Sequence, residues 1–450
     1  MDILALLQCL APYLNMTTIR QMAHIITAML AMTGRVTMLG LSRWAGKGGS
    51  YRTVQRFYHT VLPWPLLFWW FFRTQLYRAD DVYLLVGDEC VTPKAGKQTH
   101  GLDRFFSSLY GKPIPGVAFF TLGLVNTRER RAYPLQVEQL QARSSCKGAS
   151  VKPAAAASRP VGRPKGSKNR DKTQVILTPE LQLIQNMVRK QCLLINGLFT
   201  VTYLVLDGQF GNHNALAMTR HGGLHLISKL RGDAALYLPY RGPYQGRGPH
   251  RKYGERLDYR HLPSQYCKSS VIEDNIQTDT YQMQVWHESF PALLNVVILV
   301  KTNLKTGAQA HVILFSSDLT LSYEQLVDYY SLRFQIEDAF NIIKRLLGLA
   351  YFWTGSVYGI LLQVWATWLV YGILVNLTDA VAEALERPFQ DVSLEMVFHG
   401  LYYFQQARQR GEATELIAYL AANATWLGIL KQRCKGAKTK LLALTGSANP

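Results

Sequence analysis

Cysteine is scarce in this chain, and its distribution excludes two kinds of cross-linked domain. The sequence of 450 residues contains six cysteines, and no two of them form a Cys-x-x-Cys pair. Structural zinc sites and disulfide frameworks are built from cysteines at short, regular spacings. We therefore expect neither kind of site, and scattered thiols of this kind are typical of a protein in a reducing cytoplasm.

Acidic residues are also few. Asp and Glu total 30 against 49 Lys and Arg, which gives a formal net charge of +19. Such an excess of positive charge indicates a polyanionic partner, either nucleic acid or an anionic membrane surface. Hydrophobic residues make up 48% of the chain, which is ample for a packed core, and the length allows roughly two to four domains.

Long uncharged hydrophobic runs are nearly absent. The first 14 residues are apolar, but they contain Asp2 and lack the basic segment of a secretory signal. Residues 359–377 carry no charge and are long enough to span a bilayer. Composition alone fits a transmembrane helix and a buried core helix equally well, so a membrane protein is one alternative interpretation.

The most informative stretch is a predicted helix over residues 330–344. At about 100° per residue, Tyr330, Arg333, Glu337 and Lys344 share one narrow polar stripe. A neighbouring stripe is apolar and contains Leu332, Ile336, Phe340, Ile343 and Leu347. A carboxylate flanked by cations and a phenol suits a metal ion beside a phosphodiester. The alternative is an ordinary salt-bridged amphipathic helix.

Two apolar segments that each end in an aspartate favour the functional interpretation. Residues 82–88 and 202–207 are predicted strands that end at Asp88 and Asp207. Catalytic residues of open α/β sheets tend to lie at the ends of neighbouring strands. Glu89 is the nearest rival of Asp88, and only one of the two can face the site because successive side chains on a strand point to opposite faces.

These segments together resemble bacterial insertion-sequence transposases with a DDE catalytic triad. The signature Tyr-(2)-Arg-(3)-Glu-(6)-Lys of that family is present from Tyr330 to Lys344. Residues 88–97, Asp-Glu-Cys-Val-Thr-Pro-Lys-Ala-Gly-Lys, resemble its first-aspartate box, and residues 205–211, Val-Leu-Asp-Gly-Gln-Phe-Gly, its second. The similarity covers roughly residues 10 to 380. The position in the motif favours Asp88 over Glu89.

The resemblance implies an α/β fold, with an RNase H-like mixed sheet flanked by helices. It also implies that residues 359–377 are a buried helix under the catalytic sheet. The predicted division of the chain is a helical DNA-end-binding domain (1–80), the catalytic domain (81–231 and 316–386) with a flexible basic insertion (141–175), a β-rich insertion (232–315), and a helical C-terminal region with a basic tail (387–450).

The resemblance further implies the reaction. Asp88, Asp207 and Glu337 would hold two Mg²⁺ or Mn²⁺ ions, while Tyr330, Arg333 and Lys344 would contact DNA phosphates. The enzyme would cleave double-stranded DNA at the ends of an insertion sequence and transfer the freed strand into target DNA. We expect a homodimer that pairs two ends, with no membrane partner, at the bacterial nucleoid in the cytoplasm.

A second group of residues predicts DNA contacts in the N-terminal region. A glycine-containing turn precedes a predicted helix on which Arg52 and Arg56, one turn apart, share a face. With Ser50 as an N-cap, the pattern favours a helix-turn-helix-like module that grips the DNA ends. The alternative is a small helical bundle with a solvated basic face.

Two further basic segments carry predicted DNA contacts. Arg163 and Lys165 lie in a Gly-Arg-Pro context that resembles an AT-hook, a motif for the minor groove of A·T tracts. A solvated basic linker is the alternative. Arg247, Arg251 and Lys252 lie among tyrosines, and cations with aromatics suit phosphate contact and stacking. An ordinary surface loop is the alternative there.

A catalytically inactive, domesticated DNA-binding protein is the main alternative in function. It would share this composition but would be expected to lose a carboxylate, whereas Asp88, Asp207 and Glu337 are all present. The sequence therefore favours an active, metal-dependent transposase.

Overall fold

The fold, taken from a computed structural model, is built on one large mixed β-sheet flanked by helices. The described residues are 3–32, 36–46, 48–96, 98–107, 110–141, 174–244, 246, 248, 250–352 and 355–431. Within them the sheet has twelve strands in the order β2 (Asp103–Ser107), β3 (Lys112–Asn126), β1 (Tyr83–Pro93), β5 (Tyr203–Val205), β6 (His225–Leu230), β12 (Gln309–Ser316), β11 (Leu294–Asn303), β10 (Ile276–His287), β7 (Leu236–Pro239) and β8 (Tyr253–Arg256), with β4 (Arg131–Leu140) paired to β3 and β9 (Cys267–Glu273) to β10.

The N-terminal region is helical, as the sequence predicts. It contains α1 (Ile3–Leu7), α2 (Met16–Ala31), α3 (Met38–Trp44), α4 (Tyr51–Phe57) and α5 (Trp64–Phe71), followed by a π-helical turn, Phe72–Leu76. The side chains of Asn15, Thr37 and Ser50 accept a backbone N–H from the first turns of α2, α3 and α4. Such caps satisfy N–H groups that have no partner inside the helix.

The first half of the sheet begins with an antiparallel meander of β1 (Tyr83–Pro93), β2 (Asp103–Ser107), β3 (Lys112–Asn126) and β4 (Arg131–Leu140). After α6 (Pro179–Ile195), β5 (Tyr203–Val205) pairs parallel to β1. After α7 (His213–His221), β6 (His225–Leu230) pairs parallel to β5. Most side chains of β1, β3 and β4 are buried, as expected of strands that are covered on both faces.

The second half of the sheet continues from β6. Its strands are β7 (Leu236–Pro239), β8 (Tyr253–Arg256), β9 (Cys267–Glu273), β10 (Ile276–His287), β11 (Leu294–Asn303) and β12 (Gln309–Ser316). Because β12 pairs antiparallel with β6, the strands of residues 232–315 extend the same hydrogen-bonded sheet.

The prediction that residues 330–344 form one continuous helix is wrong. The segment forms two helices, α8 (Tyr323–Leu332) and α9 (Phe334–Arg345), which meet at Arg333. Short-range bonds join them, from the N–H of Arg333 to Tyr330 and from the N–H of Ile336 to Arg333. α8 packs on β12 and β6 whereas α9 packs on β1 and β4, so the interruption lies where the chain passes from one part of the sheet to the other. The apolar stripe docks on the core as predicted, and all of its residues are buried.

The C-terminal part contains α10 (Val357–Ala384), α11 (Leu394–Gln409) and α12 (Leu416–Ala422). In the described part of the chain, α10 is the one helix long and apolar enough to cross a membrane, and 89% of its most apolar stretch is buried inside the protein. It packs against α9, β4, α11 and α12. The burial is that of a core helix, as the resemblance implied for residues 359–377.

Candidate active site

Asp88 and Asp207 lie close together because their strands are parallel neighbours. Val86 of β1 is opposite Val205 of β5, and each aspartate follows two residues later. Asp207 lies just beyond β5, where its Oδ1 accepts the N–H of Gln209 at 3.0 Å. The prediction that β1 ends at Asp88 is wrong, since β1 continues to Pro93. It keeps β3 as a partner after β5 has ended.

Glu337 reaches the same place from α9, which packs over β1. The link is Arg333, whose Nη1 donates to Asp88 Oδ2 at 2.8 Å and is 2.6 Å from Glu337 Oε1. The structure therefore brings together three carboxylates that are far apart in sequence, with one guanidinium between two of them.

Burial and mutual repulsion raise the pKa values of these aspartates. Burial, partly offset by Arg333 and reinforced by Glu337 and Asp207, raises the pKa of Asp88 to about 7. Burial also raises the pKa of Asp207, again against the opposing effect of Arg333. Perturbed carboxyl groups in a cluster are typical of functional sites, although ion-pair networks also produce them.

The sequence predicted a polar stripe presented to a metal ion and DNA, but three of its four side chains pack against the protein, and only that of Glu337, at 40% exposed, is open to solvent. Tyr330 is 4% exposed and Arg333 is 6% exposed. Lys344 is partly buried, and its Nζ donates to the carbonyl of Val91 at 2.9 Å. These side chains contact the protein itself because the stripe lies against β1. Their predicted phosphate contacts stay predictions and require the side chains to leave their present partners.

Asp88 and Glu89 differ in their nearest charged neighbours, as strand alternation predicts, although Asp207 acts on both. Asp88 contacts Arg333, whereas Glu89 is influenced by Glu180 and Asp207. Burial, followed by the repulsion of these two carboxylates, raises the pKa of Glu89 to about 7 from an ordinary 4.5. Asp88, and not Glu89, is therefore the β1 carboxylate that shares a partner with Glu337.

The raised pKa of Glu89 has a consequence for stability. Between pH 4.5 and about 7 the folded protein holds a proton that the unfolded chain has lost, so stability falls as pH rises through this window. We expect Glu89→Gln to be more stable than the parent at pH 8, on the order of 1–3 kcal/mol, with the gain shrinking toward pH 4. Urea unfolding of metal-free protein at several pH values measures this.

Glu255→Gln, on the exposed part of β8, is the matched control for loss of a surface carboxylate. A gain in Glu89→Gln that is the same at pH 5 and pH 8 would contradict the assigned pKa of Glu89.

The sequence matches the DDE superfamily endonuclease family over residues 9–291, which is more than half of the chain. The chain therefore belongs to the DDE superfamily endonuclease family. The matched region contains Asp88 and Asp207 and ends before Glu337. No curated protein matches the sequence.

DDE superfamily nucleases typically use divalent metal ions, and the chemistry of the three carboxylates suits them. Mg²⁺ and Mn²⁺ prefer hard oxygen ligands. As the side chains lie, however, no group of three or more His, Cys, Asp or Glu residues in the described part of the chain is arranged to hold a metal ion. The guanidinium of Arg333 stands between Asp88 and Glu337. The donors fit a metal, but their present arrangement does not.

Sequence reasoning missed Arg130, which holds the end of α8 in this endonuclease. Its backbone has a φ of 53°, a left-handed conformation that is uncommon for a residue other than glycine. The guanidinium donates to Asp328 Oδ1 at 2.6 Å and to Ser331 Oγ at 2.9 Å. Arg130 thereby ties the β3–β4 turn to the helical turn that precedes Arg333. No local signal predicts a contact between residues so far apart in sequence.

The predicted N-terminal DNA contacts are exposed. Arg52 and Arg56 both lie on the solvent side of α4, whose first turn is capped by Ser50. Residues 3–79 contain eight Lys and Arg and no Asp or Glu. This region therefore presents positive charge without acidic residues of its own to offset it.

The basic segment near β8 is described in part. Arg251 and Lys252 are exposed, and their cationic groups lie 4.9 Å from the ring centre of Tyr240 and 5.3 Å from that of Trp286. Such cation–aromatic packing leaves charge at the surface. Arg247 lies outside the described residues, as do Arg163 and Lys165 of the AT-hook-like segment.

Proposed function

We propose that this DDE endonuclease is a transposase, which cuts double-stranded DNA at the ends of an insertion sequence and joins the freed strand to target DNA. The observation that carries the proposal is the convergence of Asp88, Asp207 and Glu337 on one place, linked through Arg333. The order β4-β3-β1-β5-β6, with β5 and β6 parallel to β1, supports an RNase H-like catalytic domain.

In the proposed reaction, water attacks the phosphorus at the element end and the bond to the 3′ oxygen breaks. The 3′-hydroxyl thus freed then attacks a phosphorus of the target and forms a new phosphorus–oxygen bond. The bond from that phosphorus to the target strand's own 3′ oxygen breaks at the same time, and this oxygen leaves as a 3′-hydroxyl. Two divalent ions, when bound, would activate the attacking oxygen and stabilise the leaving one. Asp88, Asp207 and Glu337 are the residues that would hold these ions. Arg333 and Lys344 would orient phosphates, and Tyr330 would donate a further hydrogen bond.

We propose that the N-terminal region binds the element end. Exposed cations supply most of the affinity of DNA-binding proteins through phosphate contacts. Arg52 and Arg56 lie on a capped helix within residues 3–79, which contain no acidic residue. These residues fit the end-binding role that the sequence predicts for residues 1–80.

We also propose that the active form is a homodimer on paired ends. A single set of three carboxylates serves one cut at a time, and two-fold dimers are the commonest oligomers. Binding one end through the N-terminal region while cutting the other with the catalytic region would couple cleavage to pairing.

The decisive experiment uses the purified full-length chain and the DNA that flanks its gene. With Mg²⁺ or Mn²⁺ we expect cleavage at short inverted repeats, with a 3′-hydroxyl on the cut strand. Binding to these repeats without cleavage under any metal would favour the alternative, an inactive DNA-binding protein. Neither binding nor cleavage would contradict both.

A comparison of two variants that each lose two positive charges tests whether the N-terminal region binds the element end. We expect Arg52→Ala/Arg56→Ala to lose affinity for the repeats and to show a shallower salt dependence, because two phosphate contacts are gone. Arg345→Ala/Arg410→Ala removes two cations that pair with Glu395 and Glu412 at the surface. It is expected to bind like the parent.

A further inference from the structure

Arg333 occupies the space that a metal ion would need. One nitrogen, Nη1, is 2.8 Å from Asp88 Oδ2 and 2.6 Å from Glu337 Oε1. The side chain is 7% exposed, so solvent does little to weaken these contacts. A cation that bridges two carboxylates in this way binds the oxygen atoms that would coordinate a divalent ion. It also supplies the positive charge that such an ion would bring.

The guanidinium is nevertheless incompletely satisfied. Its Nε is buried and has no hydrogen-bond partner, although guanidinium offers five donors in a planar fork. A buried donor without a partner has lost its hydrogen bonds to water and has gained none in return. A phosphate, with several acceptor oxygens, can engage two edges of the fork at once and is among the partners that arginine binds best.

The position of Arg333 in the chain allows such an exchange. Arg333 lies at the junction of α8 and α9, outside the regular hydrogen-bonding of either helix. Its side chain can leave Asp88 and Glu337 by rotation about its own bonds, without a change in either helix. Arg130 meanwhile holds the last turn of α8 through Asp328 and Ser331.

We propose that Arg333 is a latch, which keeps the metal site closed in the free protein and opens it when a DNA phosphate draws the guanidinium away. The inference rests on the proposed function, because it takes Asp88, Asp207 and Glu337 as the metal ligands. Metal binding then follows DNA binding, and each makes the other tighter by the same factor, as linkage requires. The free protein is thereby prevented from assembling a charged nuclease centre away from its substrate.

The test measures Mn²⁺ binding by electron paramagnetic resonance on the full-length chain, with and without a duplex that carries the element end. Manganese bound by the duplex alone is subtracted. We expect the parent to bind Mn²⁺ at least about tenfold more tightly with DNA than without it, a common size for such coupling. Equal affinity for Mn²⁺ with and without DNA would contradict the proposed latch. This measurement uses the parent protein alone and does not depend on the folding of a variant.

The second arm of the experiment replaces Arg333. Arg333→Gln is expected to bind Mn²⁺ without DNA at least about tenfold more tightly than the parent, because the carboxylates are released. Arg345→Gln, which removes an exposed cation from the same helix α9, is the matched control and should behave like the parent. Circular dichroism and thermal unfolding establish that both variants are folded.

A third arm separates failure of the latch from failure of the proposed function. Adding Asp207→Asn to Arg333→Gln should abolish the tight Mn²⁺ binding. If tight binding survives this change, the ion is held elsewhere and the assigned metal site is wrong. If a DNA-dependent Mn²⁺ site is lost on Asp207→Asn but Arg333→Gln does not strengthen binding in the free protein, the metal site stands and the latch is wrong.

Discussion

Asp207→Ala is expected to lower cleavage of element-end DNA on the order of 10³-fold or more while leaving binding to that DNA nearly unchanged. Among the three carboxylates, Asp207 can be removed with the least disturbance of its neighbours. Its carboxylate accepts the backbone N–H of Gln209 just beyond β5, whereas Asp88 and Glu337 both contact Arg333. Removing either of those two would leave a buried guanidinium short of a partner and could disturb the fold as well.

Single-turnover cleavage of a labelled duplex in Mg²⁺ and in Mn²⁺ measures the effect. Asp258→Ala, which removes an exposed aspartate paired with His261, is the matched control and is expected to cleave like the parent. Because residues that act as one unit are strongly non-additive, Asp88→Asn/Asp207→Ala, which keeps an acceptor oxygen for Arg333, should lose little more activity than Asp207→Ala. Normal cleavage by Asp207→Ala would show that the triad assignment is wrong.

Trp368→Ala is expected to destabilise the protein by about 3–5 kcal/mol, the usual cost of removing a large core aromatic. Trp368 is 1% exposed in the middle of α10. Its ring lies 5.7 Å from that of Phe340 on α9 and 5.5 Å from that of Tyr371. The cavity left by alanine would lie directly beneath the helix that carries Glu337.

Urea unfolding of protein prepared without detergent measures this change. Trp426 is 66% exposed, and Trp426→Ala should therefore change stability by no more than about 0.5 kcal/mol. A loss below about 1 kcal/mol for Trp368→Ala would contradict the role of α10 as a core helix. A chain that can be purified only in detergent would instead restore the membrane interpretation of residues 359–377.

The sequence predicted the elements of the site well where the signal was local. Apolar runs predicted β1 and β5, and the spacing of Ile336, Phe340 and Ile343 predicted the face of α9 that docks on the core. Alternation along a strand predicted that Asp88 and Glu89 have different neighbours. These features repeat every two or 3.6 residues, so a short window contains them.

Contacts between distant segments were not predictable in this way. The apolar run alone placed the end of β1 at Asp88, but pairing with β3 extends the strand to Pro93. The helical wheel placed Arg333 on a face turned toward DNA, but Asp88 and Glu337 bind it inside the protein. A wheel records direction around one helix and contains no information about what packs against it.

The sequence by itself predicted three candidate carboxylates and the strands and helices that carry them, and it determined the excess of positive charge that predicts a DNA partner. Only the tertiary structure decided that α10 is buried, that Arg130 holds the end of α8, and that Arg333 closes the space between Asp88 and Glu337. Composition and periodicity act within one segment, whereas burial and ion pairing depend on which segments meet in space. The roles of the uncharged segment 359–377 and of the polar stripe around Arg333 therefore depend on the segments that pack against them.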